Sequence, residues 1–220
     1  MELVTNVVAT VGGLVTGVMN FITDRFLTPP LEATLKYLEE AELKTTKGEI
    51  KTFKAKSLWE KSGAVIMAVR PVKILNVLWL QEAAELSSLK PQLDELGIPL
   101  YAVVKEDVGT EVKNFRPYFQ GEVFLDEKRR FYGPRERNPG LLAFLRVGVW
   151  MNGVRAFRNG FVGNVLGEGF VLGGVFVIGQ RQQGILLEHR EIEFGDKVNI
   201  EDVLQAVRKM PQELQSLEKK

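Results

Sequence analysis

Short, continuous apolar runs alternate along the chain with stretches whose apolar residues have helical spacing. A run of four to eight apolar residues is typical of a strand that is covered on both faces, as in a parallel sheet. Five runs predict strands, and the last two form a hairpin around Gln180–Gln183: residues 63–69, 99–104, 122–126, 174–179 and 184–189. Residues 44–56 are rich in Lys and Thr and predict an edge strand or a loop.

The stretches between these runs predict helices. Leu86, Leu89, Leu93 and Leu96 form a helical stripe that ends at Gly97, and Pro91 should kink or restart this helix. Further helices are predicted at residues 31–38 with Pro in the first turn, 57–60 with a capping box at Ser57, 107–119, 140–158 and 200–210. Strand–helix alternation followed by a hairpin and a helix indicates an α/β three-layer domain with a mixed sheet.

This pattern divides the chain into four parts. We expect an apolar N-terminal segment at 1–26, an amphipathic helix and linker at 27–49, one domain at 50–210 and a polar tail at 211–220. Residues 3–23 carry no charge and are long enough to cross a bilayer as a helix. Their Asn, Thr and Gly content makes them only mildly apolar, so a loosely packed N-terminal helix is the alternative to a membrane anchor. A basic region typical of a cleaved signal peptide is missing.

Composition excludes more chemistry than it suggests. The 220 residues include no cysteine and one histidine, His189, which rules out disulfides, zinc–thiolate sites, thiol catalysis and a His-rich metal site. Lys and Arg number 29 against 28 Asp and Glu, so no overall charge favours nucleic acid as a partner. We therefore expect no cofactor, no metal and no nucleic acid.

Several local patterns have ordinary structural explanations. Seven glycines at 153–174 lack the Lys-Ser/Thr of a phosphate loop and predict a flexible loop. Residues 128–158 hold eight basic residues against Glu136, which we interpret as a solvated helix face plus a basic loop rather than a lipid or nucleic-acid surface. His189 closes a strand without a recognisable nucleophile motif, and we expect a structural imidazole. Glu82 and Glu85 are expected to interact with the dipole of their helix.

The segment Val72–Leu80 is unusual because seven of its nine residues are apolar. In α/β folds, the loop that leaves the first central strand is where ligands and catalytic groups gather, and such loops are usually polar. We interpret the segment as an N-terminal extension of the next helix, with Leu75, Leu78 and Trp79 on its stripe. Three remaining side chains would then form an exposed apolar patch, typical of a partner surface or an aggregation site: Ile74, Val77 and Leu80.

Several sequence blocks occur in an order and spacing that resemble a known family. They are Phe53-Lys-Ala-Lys with Leu58-Trp-Glu-Lys, Gly63-Ala-Val-Ile-Met-Ala-Val-Arg70, Glu82-Ala-Ala-Glu-Leu-Ser-Ser-Leu89, Tyr101-Ala-Val-Val-Lys-Glu106, Phe124-Leu-Asp-Glu127, Phe131-Tyr-Gly-Pro134 and Gly184-Ile-Leu-Leu-Glu-His-Arg-Glu191. Over about residues 31–205 the chain resembles the peroxiredoxin-like 2 family, and more narrowly its A-type subfamily. The resemblance implies a thioredoxin-like, more narrowly peroxiredoxin-like, three-layer sandwich with a mixed central sheet and an apolar N-terminal helix extension. No Pro lies between Pro139 and Pro211, so a thioredoxin-type cis-Pro before the late hairpin is missing.

The chain departs from that family at its redox motif. The family places Arg-Pro-Gly-Cys-x-x-Cys-Arg between the first central strand and a helix that begins Glu-Glu-Ala. Here Arg70 and Pro71 are followed by residues 72–81, and the pattern resumes at Glu82. These three residues are the remnant of the redox loop, and no catalytic residue carries over. A spliced or wrongly joined gene segment and an evolved loss both fit so abrupt a change.

Three functions follow as hypotheses. The resemblance implies a redox-regulatory or antioxidant protein, which without its cysteines would be catalytically impaired. The alternatives are a non-catalytic binding module, and a reductase of prostaglandin-like endoperoxides as in the sibling subfamily, which needs the same cysteines. We expect contacts with thioredoxin-type or signalling proteins through 72–80, and membrane contact through 3–23. The expected location is the cytoplasm, with a membrane-associated or secreted pool as the alternative.

Overall fold

A computed structural model of the chain describes residues 31–69, 76–105, 111–134, 173–191 and 196–217. Within these ranges lies one mixed sheet of seven strands, in the order β2-β1-β5-β4-β3-β6-β7. Its strands are β1 Glu42–Thr45, β2 Thr52–Lys54, β3 Ala64–Val69, β4 Leu100–Val104, β5 Glu122–Leu125, β6 Gly174–Ile178 and β7 Ile185–Arg190. Strands β3, β4 and β5 run parallel, and the other pairings are antiparallel. The predicted mixed α/β sheet is confirmed.

Helices cover both faces of this sheet, which gives the predicted three layers. The helices are α1 Leu35–Glu39, α2 Asn76–Ser88, α3 Lys90–Glu95, α4 Glu111–Phe115 and α5 Ile200–Leu217, with 3-10 turns at Ala55–Leu58, Arg116–Tyr118 and Arg130–Tyr132. Residues of α2 to α5 share one apolar core with Val65, Met67 and Val69 of β3. Residues of α1 and of the first and third 3-10 turns share the other core with the opposite side of the same strand.

Strand β3 lies between β4 and β6 in the interior of the sheet. All six of its side chains are buried, so both faces of the strand are covered. The chain enters it through Gly63, whose φ is +76°. A Cβ atom at this glycine would also lie 2.9 Å from the carbonyl oxygen of Ile178. Both the backbone angle and the close approach therefore favour glycine at the start of the strand.

Several predicted boundaries are confirmed. Pro91 lies in the first turn of α3, so the leucine stripe is carried by two successive helices, as Pro91 predicted. Gly97 follows the second of these helices with a φ of +66°. Residues 44–56 supply the edge strand β2. The hairpin around Gln180–Gln183 is also present, with β6 and β7 antiparallel.

Other boundary predictions are wrong, mostly because a different residue caps the helix. Helix α1 begins at Leu35 rather than next to Pro30, since the Thr34 side chain accepts a hydrogen bond from the Tyr37 amide. Ser57 is no helix cap; it lies inside a 3-10 turn and its hydroxyl donates to the Lys54 carbonyl at 2.9 Å.

The stripe and the tail also differ from the predictions. Leu96 is 44% exposed, because the chain leaves the helical stripe at the end of α3. The segment 107–119 contains α4 and then a 3-10 turn with Pro117 near its start. Helix α5 continues through Pro211 to Leu217, so most of the predicted polar tail is helical.

Four predicted features lie outside the described residues: the apolar segment 3–23, the glycine-rich stretch up to residue 172, the helix at 140–158 and most of the basic stretch 128–158. Among the residues that the structure does describe, no helix is both long and apolar enough to cross a membrane.

Candidate functional site

The candidate site is the edge of the sheet where β3, β4 and β5 end side by side. Parallel strands bring their carboxyl ends to one edge, and ligands of α/β folds bind there. Strand β3 ends at Val69, immediately before the remnant residues Arg70 and Pro71, which lie outside the described part of the chain together with residues 72–75. The described groups at this edge are Tyr132, Asp126 and the ion pair of Arg190 with Glu188.

Tyr132 joins the ends of the two central strands. Its hydroxyl lies 2.5 Å from the Val69 carbonyl oxygen and 3.1 Å from that of Val103, and the residue is buried. A phenol has one proton to donate, so it serves one carbonyl at a time. This side chain holds the backbone at the point where the chain leaves β3.

Asp126 follows β5 and organises the loop that carries Tyr132. Its amide donates to the Val104 carbonyl at 2.7 Å, and its Oδ2 accepts from the Phe131 amide at 2.9 Å. The residue is fully buried, and its Oδ1 has no hydrogen-bond partner. Burial raises the pKa of Asp126, against the lowering effect of the amides of Phe131, Arg130 and Arg129. The carboxyl group thus fixes the 3-10 turn that presents Tyr132.

Arg190 and Glu188 form a buried ion pair beside this turn. Arg190 Nε donates to Glu188 Oε1 at 2.5 Å, and the same oxygen accepts from the Ala33 amide at 3.1 Å. The guanidinium lies 5.1 Å from the centre of the Phe176 ring. Its Nη2 has no hydrogen-bond partner, which is uncommon for a buried donor. The pair attaches the segment before α1 to strand β7.

Glu82, the third remnant residue, lies in the core and supports another part of the chain. It is 3% exposed, and its Oε1 accepts from the Val198 amide at 3.1 Å. Glu85 is bound by Lys197, whose Nζ lies 2.7 Å from Oε2. The prediction that these carboxylates serve the helix dipole is wrong, since α2 begins at Asn76 and both lie beyond its first turn. They anchor the segment that leads into α5.

The apolar segment before Glu82 is helical from Asn76 onward, as predicted, but Leu80 is not part of an exposed patch. Trp79 and Leu80 are each 6% exposed, and the Trp79 ring lies 5.0 Å from that of Phe115. Leu80 was expected on an exposed flank, and this expectation is wrong. A helix that packs between a sheet and other helices buries a wider face than one stripe. The side chains of Ile74, Leu75, Val77 and Leu78 lie outside the described residues.

The remaining candidates from the sequence are His189 and the basic stretch, and their described residues make contacts within the chain. His189 Nε2 lies 3.5 Å from the Asp196 carbonyl oxygen and 3.8 Å from its Oδ1, which agrees with a structural imidazole. In the basic stretch, Lys128 pairs with Glu42, and the Arg130 guanidinium lies 4.5 Å from the centre of the Tyr37 ring. These cations contact other parts of the same chain.

Among the described residues, the groups at this edge are a phenol, a carboxyl group and a guanidinium, which hold the backbone and neighbouring side chains. The sequence has no thiol, and within the described ranges no group of His, Asp and Glu residues could hold a metal ion. Met67 of β3 is 1% exposed, and its side chain is buried in the core. None of these groups can exchange a disulfide.

Sequence reasoning missed Tyr132, Asp126 and Arg190 as parts of the site. All three lie in blocks that carried the family resemblance: Phe124-Leu-Asp-Glu127, Phe131-Tyr-Gly-Pro134 and Gly184-Ile-Leu-Leu-Glu-His-Arg-Glu191. Asp126 is the last residue of the strand predicted at 122–126, and the carboxyl end of a strand is where α/β folds place functional side chains. The position of Asp126 at the end of a strand was the signal by which the sequence could have identified it as a site residue.

Comparisons with known proteins agree on the family and on the fold. A family model described as AhpC/TSA antioxidant enzyme matches residues 85–193. Peroxiredoxin-like 2A of Danio rerio is 60% identical over 200 residues, which cover 91% of this chain and 93% of the relative. The Homo sapiens protein of the same name is 59% identical over 198 residues, covering 90% and 86%. A mutant PrxQ of Xylella fastidiosa superimposes with a TM-score of 0.50 at 9% identity, covering 86% of this chain and 96% of that one.

Proposed function

The chain belongs to the Peroxiredoxin-like 2A family, and we propose that it acts in redox regulation as a binding protein without thiol-based turnover of its own. The observation that carries this proposal is the complete absence of cysteine from a chain that is otherwise about 60% identical to its relatives. The family fold is retained, with a mixed seven-stranded sheet and helices on both faces. The protein therefore has the family fold but no cysteine sulfur that could react with a peroxide.

Peroxide reduction by this kind of fold requires a sulfur that can ionise. A thiolate attacks one peroxide oxygen, the O–O bond breaks, and the resulting sulfenic acid is reduced again through a disulfide. Methionine cannot enter this cycle, since a thioether has no ionisable proton and its sulfoxide needs a separate reductase. The same requirement applies to endoperoxide reduction. Both catalytic hypotheses depend on groups that the sequence does not contain.

The binding role is assigned to the segment between β3 and the first turn of α2. Trp79 and Leu80 are buried in the core, so the proposed contacts of the segment 72–80 are assigned to residues 72–78. The segment is apolar where such loops are usually polar, which favours a protein partner of the thioredoxin or signalling type.

We place the protein in the cytoplasm and assign any membrane contact to residues 3–23. Comparing the sedimentation of residues 1–220 and 27–220 with cell membranes tests that assignment.

A coupled assay tests the main proposal. The purified chain is incubated with hydrogen peroxide or an alkyl hydroperoxide, thioredoxin, thioredoxin reductase and NADPH, and NADPH oxidation is followed. We expect the rate of the mixture without the chain. A rate above that background, proportional to the amount of chain, would refute the proposal.

A matched variant provides the positive control. Residues 72–77 are replaced one for one by the family sequence Gly-Cys-x-x-Cys-Arg, which restores the two cysteines after Pro71 and keeps Trp79 and Leu80, which are buried in the core. We expect turnover that alkylation with iodoacetamide abolishes. If this variant folds but stays inactive, the scaffold has lost more than its cysteines.

A further inference from the structure

A cavity lies at the opposite end of the sheet from the site described above. It encloses about 240 Å³ where β1 separates from the amino end of β5. Its polar lining comes from two neighbouring segments and one 3-10 turn: Thr45, Thr46, Lys47, Arg116, Gly121 and Glu122. The proposed binding segment does not involve this place.

Arg116 is held over this cavity by a hydroxyl group. Its Nη2 donates to Thr46 Oγ1 at 2.8 Å, and that hydroxyl donates to the Val123 carbonyl at 2.6 Å. The threonine side chain thus links the guanidinium to the strand β5. Within the described residues Arg116 forms no ion pair, so its remaining N–H groups are available to a ligand.

The charges around the cavity differ from those on the neighbouring surface. Along β1 and β2 the charged side chains pair with each other, as in Lys44–Glu127 at 2.6 Å and Lys54–Glu40 at 3.4 Å. Lys47 and Glu122, by contrast, form no ion pair with any residue in the described ranges, and both line the cavity together with Arg116. Two cations and one carboxylate without an ion-pair partner in the described ranges therefore line one small cavity.

This set of charges selects the class of ligand. A dianion such as phosphate would meet the Glu122 carboxylate, whereas a carboxylate and an ammonium group on one small molecule complement all three charges. We propose that the cavity binds a free α-amino acid, with its carboxylate on Arg116 and Lys47 and its ammonium on Glu122. The side chain of the ligand has room in an adjoining groove of about 600 Å³, which shares Gly121 and Glu122 with the cavity.

Titration followed by two-dimensional ¹H–¹⁵N NMR of the full chain tests this site. L-Alanine should cause saturable shifts of the amides of Thr46, Gly121 and Val123, and acetate or methylammonium should bind more weakly. A lack of saturable shifts at these amides would overturn the proposal. Acetate or inorganic phosphate binding as tightly as L-alanine would also overturn it, because the site would then recognise only an anion.

Charge variants separate the roles of the three side chains. Arg116→Gln should weaken L-alanine binding by about tenfold or more. Glu122→Gln should weaken L-alanine binding but strengthen acetate binding, a reversal that a general loss of structure would not produce. Lys47→Gln removes a cation that makes no described contact, so it tests the site even if Arg116→Gln disturbs the fold. Lys113→Gln, which is exposed and does not line the cavity, is the control. Equal binding by all four variants would refute the assignment.

Discussion

Replacing Leu80 by alanine separates the two interpretations of the apolar segment before Glu82. If Leu80 were part of an exposed patch, its truncation would improve solubility and leave stability almost unchanged. The structure instead buries it to 6% exposure, in the same core as Trp79 and Leu86. The substitution therefore creates a cavity between α2 and the sheet.

The expected cost follows from that burial. Truncation of a buried leucine costs about 2–5 kcal/mol, and for one in the second turn of a helix we expect about 3 kcal/mol. In a chain of this size, about 1 kcal/mol shifts the melting temperature by about 2–4 °C, so Leu80→Ala should lower it by about 6–12 °C. Leu80→Ser should cost more, because it also buries a hydroxyl group.

Leu96→Ala is the matched control, since this leucine ends the next helix and is 44% exposed. It should change the free energy of unfolding by less than about 0.5 kcal/mol. Urea denaturation followed by circular dichroism and tryptophan fluorescence measures both variants. If Leu80→Ala costs no more than Leu96→Ala, Leu80 is outside the core, and the exposed patch returns as the better interpretation.

Three further substitutions test the polar contacts. Tyr132→Phe leaves the carbonyls of Val69 and Val103 without their hydroxyl donor and should cost about 1–3 kcal/mol in urea denaturation; an unchanged midpoint would contradict the contact. The raised pKa of Asp126 means that the folded state binds its proton more tightly than the unfolded state, so wild-type stability should fall as the pH rises from about 4 through that raised pKa. Asp126→Asn should therefore gain stability relative to wild type across that window and hold a constant difference above it, as measured by denaturation at a series of pH values. Lys128→Gln should raise the pKa of Glu42, because the hydrogen bond and charge of Lys128 lower it, and NMR titration should show this difference shrinking at high salt.

The central sheet could be predicted because its strands are buried on both faces. Continuous apolar runs such as 63–69 and 99–104 have few alternatives once Gly and Pro mark their ends. Helix ends were harder, since they depend on which side chain reaches a free backbone amide. Thr34 caps α1 while Pro29 and Pro30 only precede it, and nothing in the local pattern distinguishes these two arrangements.

The candidate site was harder still, because its contacts join distant parts of the chain. Tyr132 reaches back 63 residues to Val69, and Glu82 reaches forward 116 residues to Val198. Residue spacing carries no information on such pairs. Glu82 could be singled out as a remnant of the redox loop, but its role in holding the entry to α5 is visible only in the folded chain.

These long-range contacts also explain how the fold persists without the redox motif. In the described part of the chain, the carboxyl ends of β3 and β4 are joined by Tyr132, whose loop Asp126 holds in turn, and Glu82 fixes α2 to the segment before α5. None of these contacts involves a cysteine side chain, so a chain without the two cysteines can still form each of them. The thiols of such a site serve chemistry rather than packing, since a short loop at the edge of a sheet buries little apolar surface. Absence of the cysteines is therefore compatible with retention of the scaffold, and restoring the cysteines tests whether this scaffold still supports thiol chemistry.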